Sequence, residues 1–529
     1  MSAGLVLAFV AAVAAALRLL PGLVWRYNGV DTGFHLFLRR EIRRNRMRIP
    51  DRLAALTLDE RLAYPWAFHW LIAWIPESWL RRVPPLTSAV VDAAQGILVT
   101  WLAMRITPMA FPGADPLLAG LAAGLLFATA PALLVMGIGP RAYEVTPRPF
   151  GELAFSVMMV AAGVHLETGS AAVALVSVLA GSTAILSSKF AAQALLFIVP
   201  TTALLSGMPQ ALLLLPLSVA GALALTGGRY WWVLKAQVLH LRLYRRRIQF
   251  EHSEVRNRNS WHGLGRAIAE VMRNPGNRAG RQALVRAAEQ NSHLQFLIRN
   301  VLWCGTIVLT ATHVFPAWSV DGGGWSRWLL AWAVAPIAPF LVTSLKRFRF
   351  LGEAERYPEY GIAAVAVLAG MGLAGLPSNI SIPLAVVYGM SLIPSLGYTA
   401  VRLWWNSRRV GADALGELAG FLHARPHPST ILSLPWHPLM QLLPQLEHRH
   451  LIASDGIVWY RRYDEIFASY PWPVANLDGW RMKGADLVVI DWPRAAAEGM
   501  EYPVERLRLL FENSSYRVYD WPDPAAGTT

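Results

Sequence analysis

The chain has 529 residues, of which 54% are hydrophobic and only 16% charged, where an ordinary soluble domain carries about 25% charged residues. With a mean hydropathy of +0.36, this excludes a soluble fold of usual make-up. The formal net charge of +14 falls in segments between apolar runs. It therefore points to anionic or phosphorylated lipids as partners, and away from nucleic acid.

The apolar runs lie near residues 3–24, 86–104, 117–137, 151–166, 171–187, 190–206, 210–226, 299–317, 327–345, 360–376 and 381–404. About 20 apolar residues cross a bilayer core as a helix, and only helix satisfies every backbone group there. The pattern predicts an α-helical polytopic membrane protein with about 11 spans. The first run lacks a basic n-region and a cleavage site, so it reads as a retained first span. Lys189 and Pro200 interrupt the run from 171 to 226. Apart from Asp92 and Lys189 the spans read as nearly charge-free. The one cysteine, Cys304, sits in an apolar run and excludes an intramolecular disulfide.

The loop at 25–85 carries YNGVDTGFHLFLRREI, further arginines, and YPWAFHWLIAWIP, which suits a helix lying in the membrane interface. Asp31 and His35 are four apart and share a face on a helix. A carboxylate there could serve as a general base or a metal ligand, or it could simply cap the helix. Tyr64, Trp66, Phe68 and His69 suit either belt anchors or a platform that stacks on sugar rings.

Between the third and fourth spans, GIGPRAYEVTPRPFGELAF sets Arg141, Glu144, Arg148 and Glu152 beside very apolar helices. Charge in that setting is costly and often functional. The loop at 227–298 holds 13 Lys/Arg against 4 Asp/Glu, a basic face that is either simply solvated or gathers anionic lipid or glycan. The segment KRFRFLGEAERYPEY offers Glu353, Glu355, Arg356 and Tyr357. An arginine there could bind phosphate through two parallel hydrogen bonds, or pair locally to cap the next helix. No zinc spacing, nucleotide-binding Gly-rich loop or serine elbow is present in the sequence.

From residue 409 the pattern changes. TILSLPW, GIVWYRR, ADLVVIDW and YRVYDW alternate with helix-like stretches, which predicts a small α/β domain of three or four strands over 409–529 after a transmembrane domain over 1–408. The tail PDPAAGTT reads as disordered. Eleven spans put the polar loops and the C-terminal domain on one common side. The positive-inside rule alone would make that side cytoplasmic.

An Asp-centred motif with a nearby His after the first span (DTGFHL), the Tyr-Pro-aromatic-His segment YPWAFHW, an acidic loop around Glu144 and a C-terminal domain ending in LFENSSYRVYDW resemble the GT-C fold glycosyltransferases. These include the oligosaccharyltransferase catalytic subunit, the protein O-mannosyltransferases and the lipid A aminoarabinose transferases. The chain departs from them in having no clean Asp-x-Asp pair and no WWDYG-like acceptor motif. The resemblance implies an inverting sugar transfer from a polyprenyl-phosphate or diphosphate donor to a lipid, glycan or protein acceptor at the outer face of the plasma or inner membrane. The N-terminus would be cytoplasmic and the C-terminal domain extracytoplasmic. Asp31, His35 and Glu144 would be catalytic. Arg148, Glu353, Arg356, Tyr357, Tyr64 and His69 would bind donor and lipid phosphate. A divalent cation (Mg or Mn) would fall to Asp31 and Glu144. The rival readings are a polysaccharide polymerase or ligase, and a transporter or flippase of an anionic lipid-linked glycan.

Overall fold

The structure is a computed structural model that describes residues 2–24, 30–53, 55–56, 61–134, 144–251, 258–311, 323–408, 414–425, 429–435, 446, 448–450, 458–459, 477–482, 484–497 and 499–521. The chain divides into two compact units: Met1–Arg26, Ser78–Gly228 and Gln249–Ser407 form one, and Tyr27–Glu77, Arg229–Ile248 and Arg408–Thr529 form the other.

The first unit is helical, as the apolar runs require. Among the described residues, six helices are long and apolar enough to cross a membrane: Ala3–Leu20, Leu86–Ala110, Arg148–Thr168, Lys189–Ser206, Gly324–Ser344 and Ala354–Gly375. Among the described residues the five remaining runs give the shorter apolar stretches Pro116–Thr129, Ala171–Ser187, Pro209–Leu225, Val301–Thr310 and Ser378–Pro394, the last being the start of the continuous helix Ser378–Arg408. Local chemistry sets the breaks. Pro131 has no N–H to donate, and the helix from Pro116 stops at Thr129. The long run from 171 is divided by Ser188, whose extended backbone ends one helix while its hydroxyl caps the next by accepting from the Phe190 N–H at 3.2 Å. Lys189 is therefore the first residue of a helix and not a mid-span charge.

The helix Ile362–Gly375 is buried along its whole first eleven residues, which makes it the centre of the unit. Small residues allow the close approach: a Cβ at Gly370 would lie 2.5 Å from the Ala123 backbone nitrogen. The expectation of spans charged only at Asp92 and Lys189 missed Arg18. Its Nε donates to Asp92 Oδ2 at 2.7 Å, and its Nη1 donates to the Ala128 carbonyl at 2.7 Å. The guanidinium thereby joins three helices inside the apolar layer and satisfies a carbonyl near a helix end.

The second unit holds the strands β1 (Arg61–Leu62), β2 (Thr430–Leu434), β3 (Arg449–His450), β4 (Val458–Trp459), β5 (Leu487–Asp491), β6 (Arg508–Glu512) and β7 (Tyr516–Asp520). Five make one sheet in the order β3-β2-β5-β7-β6. β2 runs parallel to β3 and β5, and β7 runs antiparallel to β5 and β6. The helix Ala414–His423 covers one face, with Leu418 and Leu422 against Ile431, Leu487, Val489 and Val518. β2, β4, β5 and β7 fall in the four expected strand segments. β6 and the edge strand β3 are additional, and the tail at 522–529 lies outside the described residues.

This unit is assembled from distant pieces of chain. β1, in the first long loop, pairs antiparallel with β4. The His450 N–H donates to the Ala55 carbonyl at 2.7 Å. Arg229, opening the helical segment after the seventh apolar run, donates to the Ile49 carbonyl at 2.7 Å and to Asp51 at 2.6 Å. The Trp-rich start of the helix Tyr230–Leu243 is dressed with cations, with Arg61 over Trp232 at 4.7 Å and Lys235 over the same ring at 4.5 Å.

Candidate functional site

The expected residues fall into two groups, one in each unit. In the second unit, Asp31 and His35 lie on the helix Val30–Arg44; the Asp31 side chain lies outside the described residues. The segment YPWAFHW leads into the helix Ala67–Ile72, which buries Phe68, His69 and Ile72 and exposes Trp70 and Leu71, while Trp74 just past its end is also exposed. That division suits a helix in the interface. His35 is buried, with its Nδ1 2.9 Å from Nε2 of His69, so the pair shares a hydrogen between the rings. Aromatic rings box the pair. Phe34, Tyr64 and Phe68 stand edge-on or tilted to it, at centroid distances of 5.5 Å for Tyr64 and His69 and 6.3 Å for Phe68 and His35. Burial first, and then the neighbouring His35, hold the His69 pKa well below the usual histidine value, against an opposing pull from the Pro65 backbone.

The arginine run in this loop is more structural than expected. Arg39 is almost fully buried. It donates through Nε to the Ile72 carbonyl at 3.1 Å, through Nη1 to Glu77 at 3.1 Å, and through Nη2 to the Ile75 carbonyl. It closes the C-terminal end of the short interfacial helix. Arg40 also reaches Glu77, at 2.8 Å.

In the first unit, four of the expected residues come together. Glu353 is the hub. Arg356 pairs with it directly, Arg258 Nη2 lies 3.7 Å away and Arg148 Nη2 4.0 Å away. Tyr357 is fully buried beside Phe190, with ring centroids 4.8 Å apart, and Arg356 stands over that ring at 5.6 Å. Gly352 turns the chain into this cluster with φ of +110°, a conformation that favours glycine. Glu355 and Glu359 are buried, and Ser292 donates to Glu355 at 2.7 Å. Two members escaped the sequence reading, Arg258 and Arg349. The Arg349 pKa is lowered by burial and by the positive Arg258 beside it. The basic loop is thus not merely a solvated face, since it supplies Arg258 and Ser292 to a shared polar centre.

Glu144 is buried four residues ahead of Arg148, which opens the helix Arg148–Thr168. Arg141 lies outside the described residues. Among the described residues no three His, Cys, Asp or Glu side chains stand together in a way that could hold a metal ion.

No known family pattern matches this chain, and no curated protein matches it. Solved structures do. The architecture is the GT-C fold, a polytopic helical membrane domain accompanied by a small sheet formed late in the chain. The similarity extends over 97% of this chain and 97% of ArnT from Cupriavidus metallidurans in the apo state, at 15% identity and a TM-score of 0.55. It also extends over 97% of this chain and 73% of the oligosaccharyltransferase of Archaeoglobus fulgidus, described in complex with Zn and sulfate, at 14% identity and a TM-score of 0.51.

Proposed function

We propose that the protein is a membrane glycosyltransferase that moves a sugar from a polyprenyl-phosphate or diphosphate donor to a lipid, glycan or protein acceptor. The observation that carries this reading is the gathering of Arg148, Arg258 and Arg356 around Glu353, with Glu355 and Glu359 buried in the same cluster. These cations come from three separate stretches of chain. Arg148 and Arg356 repel each other, Glu353, Glu355 and Glu359 offset part of that repulsion, and a phosphate would relieve more of it. The N-terminal end of the helix Arg148–Thr168 adds its positive dipole end. The shared fold with two proteins of transferase type is consistent with the reading.

In the proposed step the acceptor O–H attacks the anomeric carbon of the sugar. The bond from that carbon to the phosphate oxygen breaks, and the lipid phosphate leaves with the electron pair. In the second unit we propose Asp31 as the base for the acceptor proton, with His35 on the same helix; in the first unit we propose that Glu144, four residues ahead of Arg148, serves the arginine cluster. Arg356, Arg148 and Arg258 neutralise the departing phosphate, with Glu353 and Tyr357 holding them in position. Attack opposite the leaving group inverts the configuration. Tyr64 and the His35–His69 pair form an aromatic platform suited to a sugar ring. We assign the protein to the plasma or inner membrane, with the N-terminus cytoplasmic and residues 409–529 extracytoplasmic.

A transporter is disfavoured by one feature. The intramembrane charges Arg18 and Asp92 are bound to each other with no exposed surface, so they line no path for a solute. The test is a transfer assay with polyprenyl-phosphate sugars. Arg356→Gln should raise the donor KM at least tenfold, and Asp31→Asn should abolish turnover while leaving donor binding in place. Wild-type turnover in Asp31→Asn would remove the base assignment, and unchanged donor KM in Arg356→Gln would remove the phosphate site.

A further inference from the structure

A cavity lies at the far end of the helix that begins with Arg148. Its volume is about 330 Å³, and its walls include Ile106, Met109, Leu166, Met208, Trp325 and Trp328, with Glu167 at its edge. At 1.5 Å of rise per residue, Glu167 stands roughly 28 Å along the helix from Arg148, close to a bilayer core thickness. The cavity therefore sits at the opposite face from the arginine cluster. Its size falls in the range of about 300–1,000 Å³ usual for small-ligand sites.

The polar end of this cavity is a built feature. Glu167 Oε2 accepts from Arg105 Nη2 at 3.0 Å and from the Trp325 indole N–H at 2.8 Å. Trp325 reaches it because residue 163 is glycine: a Cβ there would lie 2.5 Å from the indole ring. Arg105 also stands over the Trp101 ring, at 5.7 Å, as at a membrane interface. About a third of each charged side chain stays exposed. Among the described residues, Oε1 of Glu167 and Nε and Nη1 of Arg105 take no protein partner. The pair thus offers one acceptor and two donors beside an apolar hole, with no net charge.

We propose that this cavity binds a membrane phospholipid with a zwitterionic phosphoethanolamine headgroup. The ammonium would meet Glu167 Oε1, the phosphate would meet the unused nitrogens of Arg105, and the start of an acyl chain would fill the space between Leu166 and Trp328. A purely anionic headgroup would gain nothing from a neutral pair. An aliphatic chain without a head would leave the two charges unused.

The full-length protein in nanodiscs, followed by native mass spectrometry after delipidation, tests this. Phosphatidylethanolamine, phosphatidylglycerol and free phosphoethanolamine are the probes. The wild type should retain one phosphatidylethanolamine at least tenfold more tightly than phosphatidylglycerol, and should not bind free phosphoethanolamine. Glu167→Gln should erase that preference, and Leu166→Trp should abolish retention. If Leu166→Trp does not fold, the headgroup preference in Glu167→Gln decides alone. Equal retention of both lipids by the wild type, an unchanged preference in Glu167→Gln, or binding of the free headgroup would overturn the proposal.

Discussion

Arg18 Nε donates to Asp92 Oδ2 across 2.7 Å, and neither side chain has any exposed surface. The residues are 74 positions apart, on the first helix and on Leu86–Ala110. Breaking such a pair leaves an uncompensated buried charge, at a cost of about 3–5 kcal/mol. Asp92→Asn should therefore lower the thermal unfolding temperature in detergent sharply. The double variant Arg18→Met/Asp92→Leu should lose less than the sum of the two single changes, because it removes both charges together. Additive losses would show that the pair is not coupled.

Arg39 serves two backbone carbonyls and a carboxylate with one planar fork. A lysine ammonium cannot reach all three. Arg39→Lys should destabilise the protein by about 2–3 kcal/mol through the carbonyls left unbonded. Limited proteolysis near residues 72–77 should accelerate accordingly. An unaltered digestion rate would show that charge alone suffices there.

His69 has its pKa held well below the ordinary histidine value. The unfolded chain therefore binds a proton that the folded chain refuses. The stability from the neutral ring is complete above the usual histidine pKa of about 6.5, and it declines as pH falls below that value. Denaturation midpoints measured between pH 5 and 8 should rise with pH (about one histidine's worth of slope), and His69→Asn should flatten part of that rise. The same slope in the variant would place its cause elsewhere.

His450 repeats this logic in the sheet. Burial first, and then the neighbouring His448, push its pKa down to about 3. Its contribution is present above about pH 6.5 and is lost progressively as pH falls toward 3. His448 is held in one tautomer, accepting from the Ser429 N–H at 3.2 Å on Nδ1 and donating to the Leu422 carbonyl at 2.7 Å from Nε2. Its protonation would cost the Ser429 bond. His450→Leu should reduce the acid sensitivity of the near-UV circular dichroism between pH 6.5 and 4. An unchanged acid transition would show that His450 does not control it.

By itself the sequence determined the apolar layers and most of the strands. A run such as 360–376 has one solution in lipid, because only helix satisfies its backbone there. The alternation in TILSLPW, ADLVVIDW and YRVYDW likewise marked β2, β5 and β7. It also marked Arg148, Glu353 and Arg356 as charges in an unfavourable place, and grouped His35 with His69 only by their shared loop. Tertiary structure alone decided the partners. Nothing local ties Arg18 to Asp92, or Arg258 to Glu353, or strand β1 to β4 across almost 400 residues of chain. Hydropathy is a property of each segment and its solvent. Which buried charge meets which is set by the packing of segments against each other, and short-range pattern carries no trace of it.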